Sequence, residues 1–420
     1  MNVSIEQLKE IQAYLEILSK DGIDMPDEGG YLGETDYDEL PDEMEIEEIR
    51  LMFPDDQEIF SIDPEFFLEY MREINTLRRV SEYIVRTDHI IQVTIYSARF
   101  GFTAFEDAIT SYTFETEGIS ASIIRNPFLV GVMNAKEGNY EEDYGFGACE
   151  SYTAIEITLE EGRDEPNLNE LIERICFFLT DKTGVAVYPW EGPMLGEIYD
   201  SMDEDYESNE SEDEDSEDMG VIDIASLPHY SPLLKMYRQA KDVNDPEIQF
   251  LQYYKMIEYV SPIVAKSVAY EHLNKRLDLL PSISRDHKFL DSILAIARKY
   301  DKDLHDDSLA LAAIENCVDV IPLFEMLPKR MLKKVKGNLK LQKDSLTDED
   351  VNEEQLMGLQ KQIAAILYST RNSIVHAKSN YNQTGNEFKE DELGEANEMM
   401  DVIARSIINW NERQPNGFKV

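Results

Sequence analysis

Three polar side chains of complementary type, Arg371, Asn372 and His376, fall within one short stretch of an otherwise apolar-periodic segment, residues 356–379. Placed at about 100° per residue with Ile374 at zero, Leu356, Leu359, Ile363, Ile366, Leu367 and Ile374 form one apolar stripe. On the same wheel Asn372 falls at about 160° and His376 at about 200°, opposite the stripe, with Arg371 at about 60° on its flank. The flank lets the arginine stem cover apolar surface while its head curls to the polar side. An imidazole that titrates near neutrality, beside a permanent guanidinium and an amide, suits phosphoryl transfer on RNA. Arg371 would stabilise charge on a pentavalent phosphorane and His376 would move protons, with no metal required. A surface histidine without a role is the plainer alternative.

The run Arg371-Asn372-Ser373-Ile374-Val375-His376 resembles the R-N-x-x-x-H form of the R-x(4-6)-H motif of HEPN domains, a helical superfamily of nucleotide-handling proteins and RNases. Upstream, FLQYYKMIEYV at residues 250–260 is similar to the first bundle helix of ApeA-like HEPN proteins. The resemblance spans residues 227–413 and leaves out the first half. It implies a homodimer in which two motif helices meet in one composite site, and metal-independent cleavage of single-stranded RNA by attack of the ribose 2′-hydroxyl. Carried over, Arg371 binds and stabilises the scissile phosphate, His376 is general acid and base, and Asn372 orients the ribose or phosphate. Glu258 or a tyrosine hydroxyl of residues 253–259 would line that site, although packing is their plainer role. The family implies a part in prokaryotic antiviral defence, as a toxin or abortive-infection effector. Members silenced by tyrosine nucleotidylation carry the tyrosine two residues after the histidine, where this chain has Lys378, with Tyr381 further on.

A second candidate is the basic run at residues 329–343, KRMLKKVKGNLKLQK, in an otherwise acidic chain. Lys329, Arg330, Lys333, Lys334 and Lys336 would form a track for an RNA backbone; lacking aromatics, it would hold phosphates and not read bases. The alternation with Met331, Leu332, Val335 and Leu339 equally fits a solvated amphipathic helix. No cofactor or metal is expected. His89, His229, His272, His287 and His305 lack ligand spacing, and Cys149, Cys176 and Cys317 are too scattered for a zinc knuckle or disulfide framework. There is no Gly-rich phosphate loop and no G-x-S-x-G turn.

The elements that position these residues follow from periodicity. The 420 residues imply two or three domains. Their 39 basic and 86 acidic residues give −47, which excludes a chain that coats nucleic acid or anionic lipid with its whole surface. The charge is lopsided: residues 1–224 hold 57 acids and 13 bases, and residues 225–420 hold 29 and 26. Residues 1–198 read as an acidic α+β domain with regulatory work. Helices are expected from Ile5 to Leu18, from Pro64 to about Tyr83 and over residues 167–184, and strands at 89–102, 111–124, 128–135 and 151–160. Residues 199–224, with 12 acids from 201 on and no base, read as a disordered linker. Residues 225–420 read as an all-α, HEPN-like bundle, with helices beginning at Pro246 after the Asp245 cap and over 286–300, 308–327, 351–379 and 392–413. No long apolar run or basic leader occurs, so a cytoplasmic chain without membrane association is expected.

The functional expectation is a metal-independent endoribonuclease, dimeric through its C-terminal domain and restrained by the acidic half, whose sign suits the basic run or a basic partner protein. The rival is a non-enzymatic dimerisation or adaptor protein whose acidic domain binds a basic partner or mimics nucleic acid.

Overall fold

The computed structural model describes residues 2–26, 43–100, 103–140, 147–150, 152–162, 166–190, 220–278, 306–376, 384–415 and 417–419, with positions 289, 291 and 293–295 besides. The chain divides into two compact units, Met1–Leu227 and Pro228–Val420. The first mixes helices with a sheet; the second is helical.

In the first unit the order is β1 (Asn2–Ser4), α1 (Ile5–Leu18), β2 (Glu43–Glu45), β3 (Ile49–Leu51), β4 (Phe60–Ile62), α2 (Pro64–Arg72), β5 (Arg78–Ser81), β6 (Ile84–Arg86), β7 (Ile90–Tyr96), α3 (Thr103–Thr110), β8 (Thr113–Thr116), β9 (Ile119–Arg125), α4 (Phe128–Glu137), β10 (Thr153–Leu159), α5 (Leu168–Thr183), β11 (Tyr188–Pro189) and β12 (Val221–Asp223). The main sheet runs β12-β8-β9-β10-β7-β6-β5, with β11 also paired to β7. Its ladders are antiparallel except at the edge, where β12 lies parallel to β8. Alternation sends Ile91, Val93, Ile95, Ile155 and Ile157 into one core with Ile172 and Ile175 of α5. On the intervening positions Gln92 accepts from the Val130 N–H at 3.0 Å and donates to Glu156 at 2.6 Å. The Tyr70 hydroxyl also donates to Glu156, at 2.7 Å.

Three expectations change here. The run at 111–124 is two antiparallel strands, β8 and β9, with Glu117 and Gly118 between them. Residues 128–135 are helical, not a strand: every residue from Phe128 to Ala135 is buried, and a short continuous apolar run has no period to tell strand from buried helix. The helix from Pro64 stops at Arg72. The Glu73 carboxylate accepts from the Thr87 hydroxyl and from the His89 N–H at 3.1 Å, tying the helix end to the β6–β7 turn. Burial pushes the Glu73 carboxyl up, but the hydrogen bonds from Thr87 and His89 outweigh it and hold it below its usual range.

Of residues 199–224, positions 199–219 lie outside the described residues, as do Lys378 and Tyr381. Residues 220–224 belong to the first unit. β12 is a strand of its sheet, Ile224 is buried in its core, and Arg174 Nη2 donates to the carbonyls of Ile224 and Leu227 at 2.6 and 2.8 Å. The strands that flank residues 191–219, β11 and β12, therefore belong to the same sheet, and the units join at Leu227–Pro228.

The second unit contains α6 (Pro232–Lys241), α7 (Pro246–Leu277), α8 (Asp306–Cys317), α9 (Val320–Met326), α10 (Lys329–Leu339), α11 (Glu353–Val375) and α12 (Leu393–Glu412). Asp245 caps α7 by accepting from the N–H groups of Glu247 and Ile248 at 2.9 Å, with Pro246 at the first position. The expected helix over 308–327 is two, α8 and α9. Pro322 cannot accommodate the carbonyl of Val318 four residues back, and Asp319 caps the restart by accepting from the Ile321 N–H. The expected helix at 286–300 falls largely outside the described residues. Phe250, Tyr253, Ile257, Ile314, Ile363, Leu367, Met400 and Ile407 are buried in the unit.

Candidate functional site

The C-terminal turn of α11 carries the motif. The helix starts on a reciprocal cap between Asn352 and Gln355, and Leu359, Ile363, Ile366 and Leu367 are buried as the wheel requires. Leu356 and Ile374, at the two ends of the stripe, are only half-buried. Arg371 and Asn372 are half-buried and His376 is exposed, so none is a core residue. His376 closes the helix, its N–H donating to the Asn372 carbonyl at 3.0 Å. Arg371 Nη1 donates to Asn372 Oδ1 at 3.1 Å, and Nη2 pairs with Glu258 Oε1 of α7 at 3.0 Å. The structure thus brings Asn372 and Glu258 each into direct contact with Arg371.

Pro262 lies inside α7, which continues past it to Leu277. A proline has no N–H for the carbonyl four residues back, and that carbonyl belongs to Glu258. The residue facing Arg371 is therefore one whose carbonyl lacks the helical N–H four residues on.

Behind the motif, Thr370 is fully buried. Its hydroxyl donates to the Ile366 carbonyl at 2.8 Å and accepts from the Phe388 N–H at 2.9 Å. The Phe388 ring packs edge-on against Phe250 of α7, with centroids 6.3 Å apart. Phe388 thus fixes the end of α11 against α7 independently of the ion pair. Thr370 and Phe388 were not legible as support, because a threonine among apolar residues reads as stripe and its partner lies beyond the helix.

The basic helix α10 divides its cations. Arg330 makes a two-pronged contact with Glu392, at 2.8 and 2.6 Å, and donates to the Glu387 carbonyl at 2.6 Å. Burial pushes the Glu392 carboxyl up, but the bonds from Arg330 and from the Lys389 N–H prevail and hold it low. Lys334 donates to the Gly385 carbonyl and to Asn386 Oδ1, both at 2.6 Å, and Lys336 pairs with Asp344. Only Lys329 and Lys333 of the five expected phosphate contacts are exposed. Arg330 and Lys334 anchor the segment that delivers Phe388 to Thr370, while Met331 and Val335 are buried beneath.

Tyr253, read as packing, is 2% exposed. Its hydroxyl donates to Asp401 at 3.0 Å, beside Lys241 at 2.9 Å and Arg405 at 3.0 Å from the same carboxylate. Among the described residues no group of three His, Cys, Asp or Glu side chains is placed to hold a metal ion, and the three cysteines are buried and form no disulfide. No helix there is long and apolar enough to cross a membrane.

No family model, curated protein or solved structure matches the chain. The site stands on its own geometry.

Proposed function

We propose that the second unit is a metal-independent endoribonuclease of HEPN type, acting on single-stranded RNA. The observation that carries the reading is the polar end of α11: a histidine, an arginine and an amide lie within its last two turns, outside the buried stripe of the helix. In this reading Arg371 binds the scissile phosphate and stabilises the phosphorane. His376 takes the proton from the ribose 2′-hydroxyl and returns one to the leaving 5′-oxygen, and Asn372 orients the sugar or phosphate. Lys329 and Lys333 extend the phosphate contacts. Two copies would meet through their α11 ends to complete the site. A defence or toxin-like role, with the acidic unit restraining the nuclease, follows from the family resemblance and the charge asymmetry.

The experiment is incubation of the full-length chain with mixed tRNA and mRNA in EDTA, beside His376→Ala. Fragments with 2′,3′-cyclic phosphate ends from the wild type alone support the reading. Absence of such fragments from both proteins, with and without residues 1–227, counts against it.

The non-enzymatic adaptor reading has one observation in its favour: Arg330, Lys334 and Lys336 hold internal partners and leave a shorter basic track than the sequence suggests. Dimerisation and partner binding that survive Arg371→Ala and His376→Ala, without any RNA cleavage, would favour it.

A further inference from the structure

We propose that Glu258 is the positioning residue for Arg371, holding one edge of its guanidinium so that the remaining N–H donors point at the RNA phosphate. This rests on the nuclease reading of the site and adds to it a residue from another helix.

A guanidinium carries five N–H donors in a fixed plane. Glu258 Oε1 lies 3.0 Å from Nη2 as an ion pair, and Asn372 Oδ1 takes an N–H from Nη1 at 3.1 Å. A carboxylate at one nitrogen and an acceptor at the other restrain both the position and the plane of the group. The remaining donors are enough for a two-pronged grip on a phosphate. Without Glu258 the arginine is held only by its immediate neighbour Asn372, and four rotatable side-chain bonds are otherwise free.

The ion pair is not needed for the fold. Its side chains are 26% and 47% exposed, and pairs so open to water contribute about 0–1 kcal/mol. The register of α11 on α7 is already set by buried contacts one residue away, through Thr370, Phe388 and Phe250. A contact that adds little stability, at the polar end of the candidate site, is explained by what it does to the guanidinium. Pro262 supports the assignment. A proline in mid-helix costs about 3 kcal/mol or more, and here its ring constrains the backbone of α7 at Glu258, the residue that faces Arg371.

Competition is the opposite possibility. A carboxylate that merely neutralises Arg371 would have to be displaced by RNA, and its removal would then tighten binding. Positioning predicts the reverse pattern: Glu258→Ala lowers kcat by roughly 10- to 100-fold at a nearly unchanged KM. Glu258→Gln, which keeps an acceptor oxygen, restores most of that loss.

The test reads two signals from the full chain. The first is the ¹⁵N guanidinium resonance of Arg371, assigned by its disappearance in Arg371→Lys, in wild type, Glu258→Ala and Glu258→Gln. The second is kcat and KM on a single-stranded RNA in EDTA for the same proteins. The expected result is a sharp signal that broadens in Glu258→Ala and returns in Glu258→Gln, with kcat following it. A signal indifferent to Glu258→Ala overturns the inference, whatever the RNA assay gives. So does a fall in KM at unchanged kcat, which identifies a competitor. A signal that depends on Glu258 in a wild type that cuts no RNA overturns the nuclease reading and the catalytic role of the contact with it.

Discussion

The backbone N–H of Phe388 donates to the hydroxyl of Thr370 at 2.9 Å, and neither residue is more than 5% exposed. Thr370 immediately precedes Arg371, so the segment returning after the motif is fastened to the motif helix from inside the core.

Removal of that hydroxyl leaves a buried donor without an acceptor. Thr370→Val preserves shape and is expected to destabilise the second unit by about 1–3 kcal/mol, with Thr370→Ser costing less. Denaturant unfolding of both variants checks this; equal stability of Thr370→Val and wild type would contradict it.

Arg330 and Lys333 are expected to separate cleanly. Arg330→Ala breaks the contact with Glu392 and the bond to the Glu387 carbonyl, and is expected to cost about 1–3 kcal/mol of stability. Lys333→Ala, on the exposed face, should stay within about 0.5 kcal/mol of wild type. If α10 touches RNA, the same change lowers the salt dependence of binding by about 0.7 in slope. Unfolding curves and a salt titration of RNA binding read the two effects apart.

Burial pushes the Asp56 carboxyl up from 3.8 to about 6, against the opposing hydrogen bonds from the Cys149 and Glu150 N–H groups. A carboxyl raised in the folded state takes up its proton before the unfolded chain does. Its ionisation penalty is fully present above about 6 and gone below 3.8, so this residue makes stability rise as pH falls through that window. The carboxyl ¹³C signal of Asp56 should titrate near the upper value. Denaturation midpoints of Asp56→Asn should lack the increment that wild type gains on acidification.

Fragments ending at 198 and at 227 should differ sharply. The longer one keeps β12 and the buried Ile224 and Leu227, each worth about 1.5–3 kcal/mol. Residues 1–227 are expected to unfold cooperatively and at clearly higher denaturant than residues 1–198. Coincident curves would place residues 220–227 outside the unit.

Much of the framework was legible because its period was clean. β7, β10, α5 and α11 each show one unambiguous repeat, and Asp245-Pro246 marks the start of α7. Residues 128–135 read as a strand because burial on all sides erases periodicity, and α2 is overextended in that reading because its stop depends on Thr87 and His89 from a later turn. The same division holds at the site. The wheel placed Arg371 on the flank and His376 away from the core, since both follow from angle alone. The Glu258 contact and the diversion of Arg330 to Glu392 depend on how helices meet, which a linear pattern does not carry.

The strands on either side of residues 191–219, β11 and β12, belong to one sheet of the first unit, so a cut between them falls within that unit and not between the two units. The cut would leave β12 paired to β8, Ile224 and Leu227 in the core and their carbonyls on Arg174, with the whole second unit attached behind them. That makes residues 191–219 the position at which split-protein complementation is to be tested. Two separately produced pieces meeting at that position would assemble through a strand and a buried patch, and a reporter inserted there would leave the covalent join at Leu227–Pro228 untouched.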